Sequence, residues 1–584
     1  MPVEIGMRTL DRGLLYVRTM RQLRWEQLVF RAVRRIQARL PVRLPAHGAT
    51  FDPRAAERLE PVVTSWGPED ASVVVRRADE VVNGVFRFLN RTERLDGVDW
   101  RRRYVSHLWS YNLHYFDYAI ALAWAYRLTN DGRYARRLAQ LLDSWIEGTV
   151  PGRGDGWEPY PTSLRVVNWI YALLLVGDRL EPSLRARVEA SVYGQVAYLA
   201  RRLEHHILAN HLQKNYKALV VAGLVFGDAR GRRWLRSGER GLWRELFEQV
   251  LPDGVQYERS PMYHAIALGD YLEAVMLLRA GGSSVPDEAV ERIRSMVHAL
   301  SVLSRPDGTL HLFNDAAQGI APSPARLSSL SRLALGESIP RPEGAVALPE
   351  AGYFGWIGPE GGDRILIDCG DPGPRYQPGH AHCDLLSFEL DLGGRPVVVD
   401  SGTSGYDGDP LREYVRSTRA HNTVEIGGRE QSELWGTFRM ARRAVVQYAR
   451  QSASANEYRF TGAYTPFYSR RVAHHRVVTR RGGDWMVEDR VEGAGQGRLR
   501  GFLHLHPDFR IERADVEGIV ARSDDGTVTI EPFGVDEVVV RKGEHDPIQG
   551  WYCPEFGKAL PAPVIELVVK ENDGRNFGYI IRRN

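Results

Sequence analysis

The sequence predicts an α-helical domain followed by an antiparallel β-sandwich. Apolar residues recur at helical spacing from about residue 104 to 335, and beyond Gly352 the pattern changes to alternation and short β-branched runs. Helices followed by strands indicate two segregated domains rather than an interleaved sheet. Since the chain has 584 residues, we expect a basic N-terminal region over 1–100, a helical domain over 101–340 and a sandwich over 341–584.

Turns containing Gly, Pro or Asp separate the predicted elements, and a proline-containing stretch over 336–349 predicts a linker. The clearest helical segments are 113–128, 135–146, 164–176, 184–203, 212–226, 263–278 and 289–303. The clearest strands are 364–368, 386–390, 397–399, 423–426, 444–448, 472–479, 485–491, 527–530, 538–541 and 564–569. No strict repeat period links the helices, which argues against a solenoid of identical units.

The basic charge of the chain is concentrated at its N-terminal end. Residues 1–43 hold ten arginines against Glu4, Asp11 and Glu26. The apolar residues among them fall at roughly helical spacing: Leu14, Val17, Met20, Leu23, Leu28, Val33 and Ile36. Such a segment suits an acidic membrane surface or a polyanion, and equally an amphipathic helix packed on the body of the protein.

Several classes of protein are disfavoured by composition. No apolar run approaches the roughly 18–20 residues of a membrane-spanning helix, so we expect no integral membrane segment. Cys369, Cys383 and Cys553 show no CxxC spacing, which disfavours a disulfide framework and a thiolate zinc site. No secretory signal is readable, so we expect a cytoplasmic protein, with periplasmic or secreted placement as the alternative.

The string ANHLQKN over 209–215 contains the first candidate site residues. Asn210 can be the N-cap of a helix, with Gln213 completing a capping box. Alternatively, Asn210 and His211 present an amide and an imidazole at the positive end of the helix dipole, where a carboxylate ligand would bind.

The string ERSPMYH over 258–264 is a strong helix start, because Ser260 is a good N-cap and Pro261 is favoured at the first helical position. Tyr263 then lies in the first turn, with His264 beside it. Tyr263 is either a buried core residue or a catalytic phenol.

Two histidines precede the predicted strand at 386–390. If His380 and His382 lie on that strand, they share a face, because side chains two apart point the same way. One of them can join Asp400 and His421 in a set of two imidazoles and one carboxylate, which fits zinc or manganese. A glycine-containing loop over 401–406 follows, ending at Tyr406. Together with nearby arginines, including Arg416 and Arg419, this loop can line a cleft that binds an anion.

Taken jointly, these strings resemble the heparinase II/III-like polysaccharide lyases, a superfamily that includes heparinase, alginate lyase and other uronate lyases. The matching strings occur in the family's order between residues 160 and 424. They are YPTSLRVVNW at 160–169, NHxxxN at 210–215, SPMYH at 260–264, GHAHxDxxSFxL at 379–390, VDSGTSGY at 399–406 and RSTRAHNTV at 416–424. The resemblance implies an incomplete (α/α) toroid joined to an antiparallel β-sandwich.

The resemblance also implies cleavage of an acidic polysaccharide by β-elimination. Removing the C5 proton of a uronate builds charge beside its carboxylate, which neutral donors must quench. By resemblance the catalytic residues are Asn210, His211, Tyr263 and His380. The ligands of a mainly structural zinc or manganese are His382, Asp400 and His421. The expected substrate-binding residues are Tyr406, Arg416, Arg419, His264 and Trp157.

The expected partner is an acidic polysaccharide and not a nucleic acid. We expect a glycosaminoglycan such as heparan sulfate, chondroitin sulfate or hyaluronan first, and alginate or a bacterial exopolysaccharide next. A uronate C5-epimerase would need the same proton abstraction, and a non-catalytic polysaccharide-binding component would need none of it. A hydrolase would need two carboxylates, for which Asp315 and Glu258 are candidates.

Overall fold

The computed structural model describes residues 9–45, 48–454 and 457–583. The first eight residues of the predicted basic region, Glu4 among them, lie outside these ranges. The α-helices found within them are α1 (Thr9–Met20), α2 (Trp25–Gln37), α3 (Pro53–Trp66), α4 (Ala71–Val82), α5 (His107–Tyr115), α6 (Asp117–Thr129), α7 (Gly132–Gly148), α8 (Pro159–Val176), α9 (Pro182–Leu199), α10 (Ala209–Val225), α11 (Ala229–Gln249), α12 (Pro261–Ala280), α13 (Asp287–Leu303), α14 (Pro324–Leu335) and α15 (Pro410–Arg416).

The helical domain has the two-layered arrangement of an (α/α) toroid. Helices α4, α6, α8, α10, α12 and α14 pack on one another in that order and form the inner layer. Helices α7, α9, α11 and α13 pack outside them. Inner helices such as α8 and α12 are buried almost all round, as expected for helices covered on every side.

One outer helix has no counterpart among the predicted segments. Helix α11 is rich in arginine and buries only a narrow stripe that includes Trp234, Leu242 and Leu246. Its glycines Gly238 and Gly241 let it approach α10, since a Cβ at Gly241 would lie 2.2 Å from the ring of Tyr216. The segment predicted over 113–128 is two helices, because Phe116 takes a left-handed backbone conformation between α5 and α6.

The strands of the described ranges lie mostly beyond residue 340, and all ten predicted strands are among them. They are β1 (Val85–Phe88), β2 (Arg91–Arg94), β3 (Gly344–Leu348), β4 (Tyr353–Ile357), β5 (Arg364–Asp368), β6 (Phe388–Leu392), β7 (Arg395–Val398), β8 (Val424–Ile426), β9 (Leu434–Trp435), β10 (Arg439–Met440), β11 (Val445–Ala453), β12 (Glu457–Thr465), β13 (Ala473–Arg481), β14 (Asp484–Glu492), β15 (Leu499–His504), β16 (Arg510–Asp515), β17 (Gly518–Ser523), β18 (Gly526–Phe533), β19 (Glu537–Lys542), β20 (Glu544–His545), β21 (Ile548–Gln549), β22 (Trp551–Glu555), β23 (Lys558–Pro561), β24 (Pro563–Val569) and β25 (Phe577–Arg583).

The sandwich is antiparallel throughout its three larger sheets. Their strand orders are β11-β12-β13-β14-β25-β18-β17-β16, β3-β4-β5-β6-β7 and β19-β24-β15-β8. A bridge between Val398 and Leu505 links the five-stranded sheet to the chain that follows β15. The core contains residues of all three sheets, among them Phe388, Trp485 and Ile565.

A separate apolar cluster joins the two domains. Val302 and Leu303 of α13, with Phe313 in the loop that follows, pack against Tyr353 and Leu366 of the sandwich. This buried contact fixes the loops of the sandwich against the ends of the toroid helices. Among the helices that the structure describes, none is both long enough and apolar enough to cross a membrane.

Candidate active site

The candidate active site lies where the first turn of α12 meets loops of the sandwich. Ser260 is the N-cap of α12, and its Oγ accepts a hydrogen bond from the Tyr263 backbone N–H at 3.3 Å. The same Oγ donates to the backbone oxygen of Asp315 at 2.7 Å. Ser260 therefore couples the start of α12 to the loop that carries Asp315.

Three aromatic side chains meet at this junction. The Tyr263 and Tyr406 hydroxyl oxygens are 2.8 Å apart, so one donates to the other. The rings of Tyr263 and His380 lie 4.2 Å apart between centroids. Burial, followed by Tyr406 and then by the nearby charge of Asp315 and Glu258, raises the pKa of Tyr263 well above 10. Tyr263 is therefore a neutral phenol with a proton to donate.

Asp315 holds the sandwich side of the site together. Its carboxylate accepts hydrogen bonds from His380 Nδ1 and His382 Nε2, each at 2.8 Å. Arg412 binds both carboxylate oxygens, with Nη2 at 2.8 Å from Oδ2. Asp315 is fully buried, and burial alone would raise its pKa. The charge of Arg412 and the hydrogen bonds from the two histidines outweigh burial and hold the pKa well below 3.8.

The predicted strand position of the two histidines is wrong. His380 and His382 lie in the loop before β6, which begins only at Phe388. They converge nevertheless, because both contact Asp315. Since Nδ1 of His380 donates to that carboxylate, its Nε2 is left for other chemistry.

The helical domain supplies a second pair of histidine and carboxylate. His211 Nδ1 lies 3.1 Å from Glu204 Oε1, and the other oxygen of Glu204 accepts from Asn215 Nδ2 at 3.0 Å. The ring of Tyr160 covers His211 at 4.2 Å between centroids. Asn215, the last residue of the NHxxxN string, thus positions the carboxylate that orients His211.

The predicted capping role of Asn210 is wrong. Helix α10 begins at Ala209, its N-cap is Leu208, and Asn210 is its second residue. Leu208 and Ala209 have φ of 71° and 53°, a left-handed conformation that non-glycine residues rarely adopt. This strained entry places Asn210 and His211 in the first turn, at the positive end of the helix dipole.

Glu258 is a buried carboxyl group beside His380. It is 1% exposed, and its Oε2 lies 3.6 Å from His380 Nε2 and has no hydrogen-bond partner. Burial raises the pKa of Glu258, while the charges of His380 and His211 act in the opposite direction. Both imidazoles therefore influence the same carboxyl group.

A cavity of about 430 Å³ adjoins this cluster inside the toroid. Tyr160 and Lys214 line it, together with Lys217, Asp270 and Glu273. Both lysines bind Asp270 Oδ1 at 2.8 Å, and Lys217 also binds Glu273. The two lysines of the cavity are therefore already paired with carboxylates, while Arg326, which also lines it, donates to the backbone oxygen of Trp66.

Two family models match the chain in the order of its domains. Heparinase II/III N-terminus matches residues 71–326, and Heparinase II/III-like, C-terminal matches residues 340–578. The chain belongs to the heparinase II/III-like family. The family resemblance and the fold implied by the sequence are thereby confirmed.

Relatives and solved structures agree with this assignment. The chain is 24% identical to the heparin-sulfate lyase of Pedobacter heparinus over 506 residues, 81% of this chain and 73% of that protein. It is 24% identical to the heparin-sulfate lyase of Bacteroides thetaiotaomicron over 381 residues, a match that covers 57% of this chain and 54% of that relative. A solved structure of heparinase III superposes with a TM-score of 0.69 at 17% identity, covering 93% of this chain and 87% of that one.

A second polar cluster of this heparinase II/III-like protein has the donor set of a metal site. Ligand atoms of His382, Asp384 and His421 lie within 4.8 Å of one another, and all three residues are buried. His382 Nδ1 and His421 Nε2 have no hydrogen-bond partner. Asp400, the predicted ligand, instead binds His421 Nδ1 at 2.8 Å. Asp384 thus occupies the place that the sequence assigned to Asp400.

Two of the predicted substrate-binding residues, Trp157 and His264, are buried as parts of the scaffold. Trp157 packs between Trp145 and Tyr198 in the helical core. His264 binds the backbone at Gln256 N and Met296 O, and burial lowers its pKa to about 4. These placements are wrong for direct contact with a substrate.

The two predicted arginines also lie away from the reacting cluster. Arg416 is 2% exposed and donates to the carbonyl oxygens of Gly436, Thr437 and Ala381. Arg419 is half-buried near the ring of Tyr414. Of the five predicted substrate-binding residues, Tyr406 is the one that contacts Tyr263.

Glu204, Glu258, Asp315 and Arg412 join the candidate lyase site although the sequence did not assign them to it. The sequence suggested Glu258 and Asp315 only as the two carboxylates of the alternative hydrolase. The sequence did contain a signal for Glu258, because this residue lies two positions before the Ser260 N-cap that begins the helix of Tyr263. Arg412 was one arginine among many in an arginine-rich chain. Glu204 lies in the turn before α10, where nothing in the sequence marks it as the partner of His211.

We predict that Asp315→Asn destabilises the protein by roughly 3–5 kcal/mol near neutral pH, because it leaves Arg412 buried without its counter-charge. The pKa of Asp315 is depressed in the folded state, so its stabilisation is present above about pH 4 and is lost as pH falls towards the folded pKa. The melting temperatures of wild type and variant should therefore converge in acid.

Asp178→Asn is the control, because the side chain of Asp178 is fully exposed. Thermal melting followed by circular dichroism from neutral to acid pH measures both variants. Equal melting temperatures of wild type and Asp315→Asn at neutral pH would contradict the role of Asp315.

Proposed function

We propose that this protein is a polysaccharide lyase that cleaves a uronate-containing glycosaminoglycan by β-elimination. The observation that carries the proposal is that the neutral phenol of Tyr263 packs against the ring of His380, which lies beside the buried Glu258. The relatives named heparin-sulfate lyases support a glycosaminoglycan as the first substrate class. Alginate and bacterial exopolysaccharides are the alternative uronate polymers.

In this proposal, hydrogen-bond donors quench the charge of the substrate carboxylate. Asn210 donates to it from the first turn of α10, where the helix dipole also favours negative charge. His211 donates through Nε2 in its protonated form, because its Nδ1 proton is bound to Glu204. Glu258 in its protonated form adds a third donor through Oε2. The hydrogen bonds from these donors strengthen as C5 loses its proton, because negative charge then spreads onto the carboxylate.

His380 and Tyr263 divide the proton transfers in the proposal. His380 Nε2 takes the C5 proton, and the carboxylate of Asp315 stabilises the imidazolium that forms. Tyr263 donates its proton to the C4 oxygen as the bond breaks, and Tyr406 supports the phenol through their shared hydrogen bond. The phenol is a poor base while its pKa is raised, which favours its use as the acid.

A uronate C5-epimerase is the second candidate, since it would use the same proton abstraction. Elimination creates a conjugated unsaturated uronate that absorbs ultraviolet light, and epimerisation does not. Incubation with heparan sulfate, chondroitin sulfate, hyaluronan and alginate, followed by absorbance, separates the two reactions. Absence of the unsaturated product with every polymer would overturn the lyase proposal.

Tyr263→Phe should reduce turnover by about 10²–10⁴-fold, since it removes the proposed acid and leaves the ring in place. The measurement is the initial rate of absorbance on the best polymer, with melting temperature as the check of folding. Tyr448→Phe is the matched control, because its hydroxyl group contacts only the distant His475. Near-normal turnover of Tyr263→Phe would remove Tyr263 from the reaction.

Glu258→Gln tests whether the neutral carboxyl group is the active form. Because the pKa of Glu258 is raised, wild type keeps the proton to higher pH than an ordinary glutamate and loses it as pH rises further. Glutamine stays neutral, so the variant should keep its rate over the higher pH range in which wild type declines.

Glu258→Ala should lose most of the rate at all pH values, because alanine cannot supply the third donor in either pH range. Glu425→Gln is the matched control, since Glu425 is also buried with a raised pKa but pairs with Arg500 in the sandwich. An inactive Glu258→Gln at every pH would mean that the carboxylate itself is required.

We also propose a divalent metal, zinc first and manganese second, held by His382, Asp384 and His421. Two unpartnered imidazole nitrogens and a carboxylate form the donor set that zinc favours. When bound, the ion would brace the loop rather than take part in the reaction. His382 bonds Asp315 through its other nitrogen, so the brace would extend to His380.

Asp384→Ala should lose the metal, measured as metal per protein by elemental analysis, and should lower the melting temperature. Asp400→Ala removes the hydrogen bonds to His421 and to the Gly402 backbone N–H but leaves the three proposed ligands, so metal affinity should fall about 10–100-fold without loss of the site. If Asp384→Ala kept its full metal content and Asp400→Ala lost the metal, Asp400 would be the carboxylate ligand, as predicted from the sequence.

A further inference from the structure

The first two helices carry an apolar face that points away from the protein. Half of the large exposed apolar side chains of the described residues, nine of eighteen, lie between residues 14 and 40. On α2, Trp25, Val29 and Ile36 recur at i, i+4 and i+11, so they form one stripe. Trp25 is 71% exposed and Ile36 is 61% exposed.

The opposite side of the same helices is anchored to the sandwich, and the Gln37 side chain on α2 donates to the backbone oxygen of Arg201 in the helical domain. Arg18 on α1 binds Glu433 of the sandwich at 2.7 Å, and the indole of Trp435 donates to Thr19. Gln27 on α2 is buried and donates to the backbone oxygen of Tyr376. These contacts fix the orientation of α1 and α2, so the apolar stripe faces away from the protein.

The charge of this segment is almost entirely positive. Residues 12–43 hold nine arginines and one acidic residue, Glu26. Arg35 and Arg39 are exposed beside the stripe. The structure therefore presents guanidinium groups and apolar side chains on one surface, with Trp25 among them.

We propose that this surface, formed by the outer faces of α1 and α2, binds an anionic lipid bilayer. A bilayer interface accepts both features at once, because lipid phosphates pair with arginines and the acyl boundary buries apolar side chains. A soluble polyanion would use the arginines but would leave Trp25, Val29 and Ile36 in water. The helices lie on the bilayer without crossing it.

The test is co-sedimentation with vesicles of phosphatidylcholine, alone or mixed with phosphatidylglycerol. Wild type should bind the mixed vesicles, and binding should weaken as salt rises. The double variant Trp25→Ser/Ile36→Ser should bind the mixed vesicles at least about tenfold more weakly, because two exposed apolar anchors are removed. The double variant Arg35→Gln/Arg39→Gln should lose about fivefold in affinity for the mixed vesicles for each arginine removed, at low salt.

Leu333→Ser/Val516→Ser is the matched control, because both residues are exposed and apolar but lie elsewhere. Melting temperatures establish that each variant is folded, independently of any lyase activity. Equal sedimentation of wild type and Trp25→Ser/Ile36→Ser would overturn the proposal. So would binding to heparin without binding to vesicles, or a dimer in analytical ultracentrifugation that the same double variant abolishes.

Discussion

The buried carboxylate of Asp315 is the constraint on which the rest of the site depends. An ionised group with no exposure is costly unless its charge and its hydrogen-bonding capacity are both satisfied. Arg412 supplies the charge, while His380 and His382 supply further hydrogen bonds. In satisfying Asp315, the protein fixes the orientation of His380 and links it to the neighbouring metal-type cluster through His382.

Sequence patterns predicted those parts of the fold whose burial is periodic. The ten predicted strands and the inner helices α6, α8, α10 and α12 have strong apolar patterns, because they are covered on one or more whole faces. The inner helices α4 and α14 have no counterpart among the predicted segments. Helix α11 escaped prediction because it packs through a narrow stripe and two glycines, and its arginine-rich remainder resembles a loop. Phe116 divides α5 from α6 through its backbone conformation, which apolar spacing does not encode.

The candidate site was predictable where short motifs carry its residues and not where it depends on distant contacts. Tyr263 follows an N-cap and a proline, and His211 lies in a recognisable string. The pairing of Glu204 with His211, and of Arg412 with Asp315, joins residues that no local pattern relates. Asp384 and Asp400 are both aspartates near a strand, so only the packing shows which carboxylate faces the two free imidazole nitrogens.

In the proposed reaction, hydrogen-bond donors rather than unpaired lysine or arginine side chains would meet the negative charge of the substrate. Lys214 and Lys217 are held by Asp270, and Arg412 is held by Asp315, so these positive charges are already balanced. What remains beside the reacting cluster is an amide, two imidazoles, a phenol and the buried Glu258, with α10 and α12 both beginning there. Fixed cations would bind the substrate carboxylate equally well before and during reaction. Donors whose hydrogen bonds strengthen as charge develops favour the transition state instead.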